Sequence, residues 1–403
     1  MPDFLPPFIT HTQEEKRMSE LNRRDRNIGF ITFFLSGICT ISAGIIISIL
    51  QEKYSLTYST TGSLLSFMSA GSMSASFLSG ILPRKLGVRK TVLILTSGYF
   101  IGYLLTAFIG LPGVLTAAFL MIGMAKGCAL NRCTVLVGNN SADRPRGLQI
   151  MHACYAMGAL LCPFLITALS SVDLIMPMLG VALCGLVFWG VYVYARLPRK
   201  QTEKEKTAAP SSHGFLRSPL FWLLAALLFC QNGAETSVTG WLVTYYRNQN
   251  ILSGALSSYT MTIMWGATLI ARLLIAFVVP IKNQFKALFL MGVCCTVLYA
   301  ILVPIHASLP AIMMLFAFAF AMAGVNPMST ACLGKQISQE SMAVLLPLGS
   351  AGAILMPLII GLVADHAGLQ AGMMVNLIPC AGIAVFSGIL WHRNSKKNQS
   401  SAS

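Results

Sequence analysis

The sequence predicts an all-α membrane protein: twelve transmembrane helices arranged as two six-helix bundles. Three observations carry this. Of 403 residues, 55% are hydrophobic and only 10% are charged, with a mean hydropathy of +0.71, whereas a soluble chain carries about 25% charged residues. Apolar stretches long enough to cross a bilayer recur along the whole chain. The two halves also repeat. Gly158-Ala-Leu-Leu-Cys-Pro163 matches Gly352-Ala-Ile-Leu-Met-Pro357. Gly71 matches Gly266, and Asn131-Arg132 nearly meets Asn326-Pro327, at almost the same separation. In a six-plus-six parallel repeat the solute site lies between the halves, near mid-depth.

Taken in order, residues 1–27 form a polar tail with Lys16, Arg17, Arg23, Arg24 and Arg26 just ahead of the membrane. No short apolar region with a small-residue cleavage site precedes the first span, so that span is expected to stay uncleaved. The first bundle, 28–196, holds spans near 28–50, 61–82, 91–111, 113–138, 147–169 and 174–196. A charged linker containing Pro and Ser, 197–218, separates it from the second bundle, 219–391. That bundle holds spans near 219–246, 254–279, 286–304, 309–332, 342–364 and 369–391, and a polar tail, 392–403, ends the chain. With both tails on one side, nearly all of the 28 Lys and Arg residues lie on that side. Only Lys53 and Arg247 fall opposite, and Lys126, Arg132 and Arg272 lie within spans. The positive-inside rule then puts both termini in the cytoplasm, at the cytoplasmic (inner) membrane. It also assigns the net charge of +15 to loops facing an anionic leaflet rather than to nucleic acid. All 11 cysteines fall in apolar segments without a CxxC pair, as buried thiols do.

Glu235 is the acidic residue that falls near the middle of a span; every other Asp or Glu can be placed in a loop, a tail or a membrane edge. An ionisable group at that depth costs about 2.5 kcal/mol or more on insertion scales, which marks a functional site. Gln231, Asn232, Gly233, Thr236, Ser237 and Gly240 surround it, a mix that suits a helix whose backbone opens toward a watery cavity. A carboxylate there suits solute contact or proton binding and release; the plainer role is structural bonding to backbone amides at a helix break. Lys126, near mid-depth in the fourth span, either pairs with Glu235, holds an anionic solute, or snorkels along a helix edge. Asn131, His152, Gln231, Asn232 and Asn326 offer donors and acceptors for a solute or for neighbouring helices. Tyr155 and Trp265 offer aromatic faces for a sugar. Arg132 and Arg272, near the inner ends of their spans, suit structural latch pairing.

Two sets of motifs resemble a known family. The loop Gly80-Ile-Leu-Pro-Arg84-Lys85-Leu-Gly87-Val-Arg89-Lys90 is similar to the Gly-x-x-x-Asp-[Arg/Lys]-x-Gly-Arg-[Arg/Lys] loop of the major facilitator superfamily. The resemblance implies that this loop, with Arg84, Lys85 and Arg89, acts as a cytoplasmic latch; Arg84 stands where the family has Asp. Within the superfamily, Asn131 to Gly138, Leu148 to Pro163 with His152 and Tyr155, and Gly233 to Tyr245 with Glu235 and Trp241 resemble the fucose:proton symporter and hexose permease branch. That branch carries acidic residues in its first and fourth spans, at positions aligned here with Gly44 and Gly127. Its proton-coupling groups therefore do not transfer, and Glu235 is the remaining candidate.

The chain reads as a monomeric secondary transporter for a small polar solute, a sugar or sugar acid, coupled to protons by alternating access. A Lys at mid-depth favours the acid. No Gly-x-x-x-x-Gly-Lys-[Ser/Thr] loop, metal-ligand spacing or catalytic triad stands out, so no cofactor, metal or enzyme activity is expected. Proton-coupled efflux of drugs, metabolites or organic anions is the rival within transport. A transport-fold receptor or a membrane-embedded enzyme is the rival outside it.

Overall fold

The computed structural model describes residues 11–141, 144–195, 213–278, 281, 283–332 and 339–400. The first bundle comprises α1 (His11–Tyr54), α2 (Tyr58–Leu86), α3 (Val88–Thr96), α4 (Gly98–Phe108), α5 (Pro112–Asn139), α6 (Arg144–Ser170) and α7 (Met176–Tyr194). The second comprises α8 (Pro219–Asn248), α9 (Gly254–Ser258), α10 (Thr260–Phe277), α11 (Gln284–Leu302), α12 (Ser308–Met322), α13 (Val325–Ala331), α14 (Gln339–Ala367), α15 (Leu369–Val375) and α16 (Leu377–Ser400). Among the described residues, 10 helical stretches are long and apolar enough to cross a membrane, and α3–α4, α12–α13 and α15–α16 each count as one of them. The two helices missing from that set, α2 with 29 residues and α8 with 30, have the length but are diluted by polar side chains. Including them, the fold makes twelve passes, as the sequence predicts.

The polar tails extend the helices that flank them. The polar stretch before residue 28 is helical from His11 onward, and α16 continues to Ser400. Both extensions are rich in basic and amide side chains without Gly or Pro, so nothing in them stops a helix that a packed span has already nucleated. The linker lies outside the described residues up to 212, and a 3-10 turn, His213–Arg217, leads into α8.

α1 forms the core of the first bundle: 89% of its apolar stretch is inside the protein. Its hydroxyls are pinned there by tyrosines, with Ser36 Oγ 2.7 Å and Thr40 Oγ1 3.0 Å from Tyr99 OH, and Ser42 donating to Tyr103 OH at 2.9 Å. α2 packs on α5 and α14, α8 packs on α14 and α16, and α1 meets α8, so the two most polar spans stand at the seam between the bundles.

The bundles close on each other at the end opposite the chain termini. Two glycines allow backbone contact there: a Cβ on Gly44 would lie 2.2 Å from the Thr239 carbonyl oxygen, and one on Gly62 2.5 Å from that of Pro357. Ser66 Oγ donates to Ile354 O, Thr262 Oγ1 donates to Leu160 O at 3.0 Å, and Asn248 Nδ2 donates to Tyr58 OH at 3.1 Å. Arg247 pairs with Glu52 at 3.2 Å. Asp365, at the end of α14, accepts from the Tyr58 and Ser59 backbone N–H groups, both at 2.8 Å, and so caps the N-terminus of α2. Among the described residues, every hydrogen bond and ion pair between the bundles lies between mid-depth and this end.

The Asp365 cap gives an expected result. Asp365→Ala leaves two helix-terminal N–H groups to water, a loss of about 1 kcal/mol, or roughly a fivefold gain in the population separated at this end. Distances between spin labels on the exposed residues Val172 and Ser253, one on each bundle, measure that population. An unchanged distance distribution would show that the cap does not hold the bundles together.

Candidate functional site

The site starts from α8. Its first half, Pro219 to Cys230, is largely apolar and packs into the second bundle, with Phe221, Leu224, Leu227 and Leu228 buried. The polar stretch that follows, from Gln231 to Trp241, was expected to open the helix. It does not: α8 runs unbroken from Pro219 to Asn248. The glycines serve packing instead. A Cβ on Gly233 would meet Met356 Cγ at 2.8 Å, and one on Gly240 would meet Leu65 Cδ1 at 2.4 Å, so α14 and α2 approach α8 closely. Among the interrupted spans, the tenth is the one that bears on α8, with its interruption between α12 and α13 at Ala323–Gly324. Arg272 Nε donates to the carbonyl of Ala323 at 3.3 Å, meeting one of the acceptors that a helix end leaves open.

The break places Asn326 on the first turn of α13, facing α8. Its Nδ2 donates to Gln231 Oε1 at 2.9 Å and to Asn232 Oδ1 at 3.3 Å. Gln231 in turn donates from Nε2 to Glu235 Oε2. Four of the residues singled out in the sequence therefore form one continuous row. Gln231 is 1% exposed, which leaves its amide to these partners, and Glu235 is partly buried at the end of the row.

Lys126 on α5 and Tyr155 on α6 lie within electrostatic reach of Glu235 from the other bundle. Tyr155 packs against Phe33 with ring centroids 5.0 Å apart, and against Trp265 of α10 at 5.6 Å, an edge-on contact that crosses the seam. Trp265 is 7% exposed, and its Nε1 has no hydrogen-bond partner among the described residues. His152 meets Phe33 edge-on at 5.5 Å, and Arg272 lies within electrostatic reach of both His152 and Tyr155. Among the described residues neither Lys126 nor Arg272 is in an ion pair, so this cluster holds more positive charge than Glu235 balances.

Other candidates lie apart from this cluster. Asn131 makes one long contact, Nδ2 to Ser76 O at 3.5 Å, within its own bundle. Arg89 lies in the first turn of α3 rather than in a loop, and donates from Nη2 to Val193 O at 3.0 Å, tying α3 to the end of α7 in the same bundle. Lys85 is exposed, and the Arg84 side chain lies outside the described residues. Arg132 has a buried Nε without a partner among the described residues, whereas Arg272 bonds to Ala323 O beside the cluster. One residue at the site was not anticipated. Asn376, at the junction of α15 and α16, is fully buried and donates from Nδ2 to Ala234 O at 3.3 Å, the carbonyl one residue before Glu235. Its signal was present, since it is an Asn inside an apolar span.

Residues 29–346 match the family model of the Major Facilitator Superfamily. The chain belongs to the major facilitator superfamily. It is a multi-pass membrane protein of that transporter type. Among its superfamily relatives, Protein TsgA of Salmonella typhimurium is 22% identical over 371 residues, covering 86% of this chain and 89% of that protein. A gallate transporter of Pseudomonas putida is 29% identical over 189 residues, covering 45% of this chain and 42% of the relative; the match thus spans less than half of that relative's length. Among solved structures, the nucleoside transporter NupG superposes with a TM-score of 0.69 at 16% identity, covering 92% of this chain and 98% of that one. A bacterial homolog of the human lysosomal transporter Spinster, inward-facing and unoccupied, gives 0.74 at 12% identity, covering 91% and 96%.

Within this superfamily fold, the two glycines that stand where the fucose branch has acids have a packing reason. A Cβ on Gly127 would lie 2.2 Å from the Ser72 carbonyl oxygen, as close as the one on Gly44 would lie to that of Thr239. Helix backbones occupy the space that either carboxylate would need. All 11 cysteines are free thiols, most of them buried.

Proposed function

We propose that this major facilitator protein moves a small carboxylated solute, a sugar acid, together with protons across the cytoplasmic membrane by alternating access. It works as a monomer with both termini in the cytoplasm. The observation that carries the reading is the row Asn326–Gln231–Glu235, with Lys126 of the other bundle within electrostatic reach of Glu235. Glu235 carries the proton, Lys126 and Arg272 supply the positive charge that a carboxylate needs, and the Asn and Gln amides meet hydroxyl groups. The Tyr155–Trp265 pair supports an apolar ring face, and Trp265 Nε1 supplies one further donor. Both bundles contribute, so a bound solute feels their relative movement.

The same aromatic pair favours a second reading, a hydroxylated aromatic acid, which also fits the solute named for the Pseudomonas putida relative. A thermal-shift screen of the purified protein against neutral sugars, uronates and aromatic acids tests the reading. Stabilisation by acids over their neutral counterparts is expected. Stabilisation by neutral sugars alone would remove the carboxylate from it.

A further inference from the structure

We propose that the groove between α1 and α7, at the end of the first bundle that carries the chain termini, holds one anionic phospholipid of the surrounding leaflet. Its phosphate sits on Arg23 and Arg24, and an acyl chain lies in the groove. The site stands apart from the row around Glu235 and is the same for any solute the protein moves.

Two helical stripes build the groove. On α1, Arg24, Ile28 and Ile31 follow at spacings of four and three residues and so share one face. On α7, Val187, Gly190 and Tyr194 do the same. The cavity between the stripes has a volume of about 510 Å³. A second, of about 410 Å³, shares Arg24 and Ile28 with it and extends it along α1 to Arg23 and Ile31. Such a volume suits an organic molecule rather than an ion or a single water. Gly190 keeps it open. A Cβ on Gly185 of the same helix would lie 2.8 Å from the Phe100 backbone nitrogen, so that glycine admits α4. A Cβ on Gly190 would meet nothing within 4 Å, so no neighbouring helix uses the space it leaves. Ile31, Val187 and Tyr194 are exposed, and in a multi-pass membrane protein that surface meets lipid. A lipid chain therefore enters the groove sideways from the bilayer.

The rim chooses among lipids. Arg23 and Arg24 are exposed and, among the described residues, in no ion pair. Asp25 follows them in sequence, but it lines neither cavity and is in no ion pair among the described residues. Two guanidinium groups form charge-assisted bonds to a phosphodiester and repel the cationic end of a zwitterionic headgroup. Tyr194 at the same rim is an aromatic of the kind that sits at headgroup depth. Cationic at that depth and apolar below it, the groove complements an anionic phospholipid.

The test is native mass spectrometry of the full-length protein released from nanodiscs of equal phosphatidylglycerol and phosphatidylcholine. The wild type is expected to retain one phosphatidylglycerol in preference to phosphatidylcholine. Arg23→Gln combined with Arg24→Gln lowers that preference by roughly fivefold for each charge removed. Gly190→Leu fills the groove with the charges intact and lowers retention of both lipids; leucine also favours the helix, so the fold is kept. Arg393→Gln combined with Lys396→Gln removes two exposed charges from α16 at the same membrane surface and leaves the preference unchanged. Equal retention of the two lipids by the wild type would overturn the proposal. An equal loss in the α16 and α1 variants would reduce it to general surface charge, and wild-type retention in Gly190→Leu would take the groove out of it. Each readout is independent of solute flux, so its failure leaves the transport reading standing.

Discussion

In proteoliposomes, Glu235→Gln is expected to reduce proton-driven accumulation of solute to the level of empty liposomes. Glutamine has nearly the same shape and keeps a partner for Gln231 Nε2, so the row from Asn326 stays closed. What disappears is the ability to bind and release a proton. Downhill exchange of solute, which needs no net proton movement, should persist, with affinity changed by roughly tenfold or less, since a charge-assisted bond becomes a neutral one. Loss of both activities would indicate a damaged fold. Retention of both would place proton coupling elsewhere.

The second large effect is expected at Lys126. Lys126→Met keeps the length of the stem and removes the charge that lies within electrostatic reach of Glu235. For a carboxylated solute, losing one charge-assisted bond costs about 1.5–3 kcal/mol, or roughly 10- to 100-fold in affinity. Binding of the corresponding neutral sugar should change little. Calorimetric titration of the two solutes against the variant and the wild type separates these outcomes. An equal loss for acid and neutral sugar would assign Lys126 to the packing of α5 instead.

The spans were legible because burial in a bilayer demands long apolar runs, and the row was legible because each member is a polar residue that an apolar run has no reason to contain. Gln231, Asn232, Glu235 and Asn326 all stood out on that ground, and they meet in space. The helix break was placed wrongly for a physical reason. Two glycines and several polar side chains in α8 look like an opening, but whether glycine opens a helix or admits a neighbour depends on what packs there, and here α14 and α2 do. The interruption that bears on the row, at Ala323–Gly324 ahead of Pro327, is met by Arg272, a contact that no local pattern encodes. The internal repeat misled in the same way. Asn131 and Asn326 occupy matching positions, yet only the second has a broken helix beneath it, and only the second joins the row. The cap by Asp365 on α2 joins residues from opposite halves of the chain, so it emerges only once the halves have docked.

The most direct measurement is uptake of a radiolabelled hexuronate into liposomes that contain this protein and no other, with the outside made acidic. Accumulation that grows with the imposed pH difference and collapses when a protonophore is added is the predicted result. Uptake indifferent to the pH difference, or binding of the acid with no flux at all, would contradict a proton-coupled carrier built around Glu235.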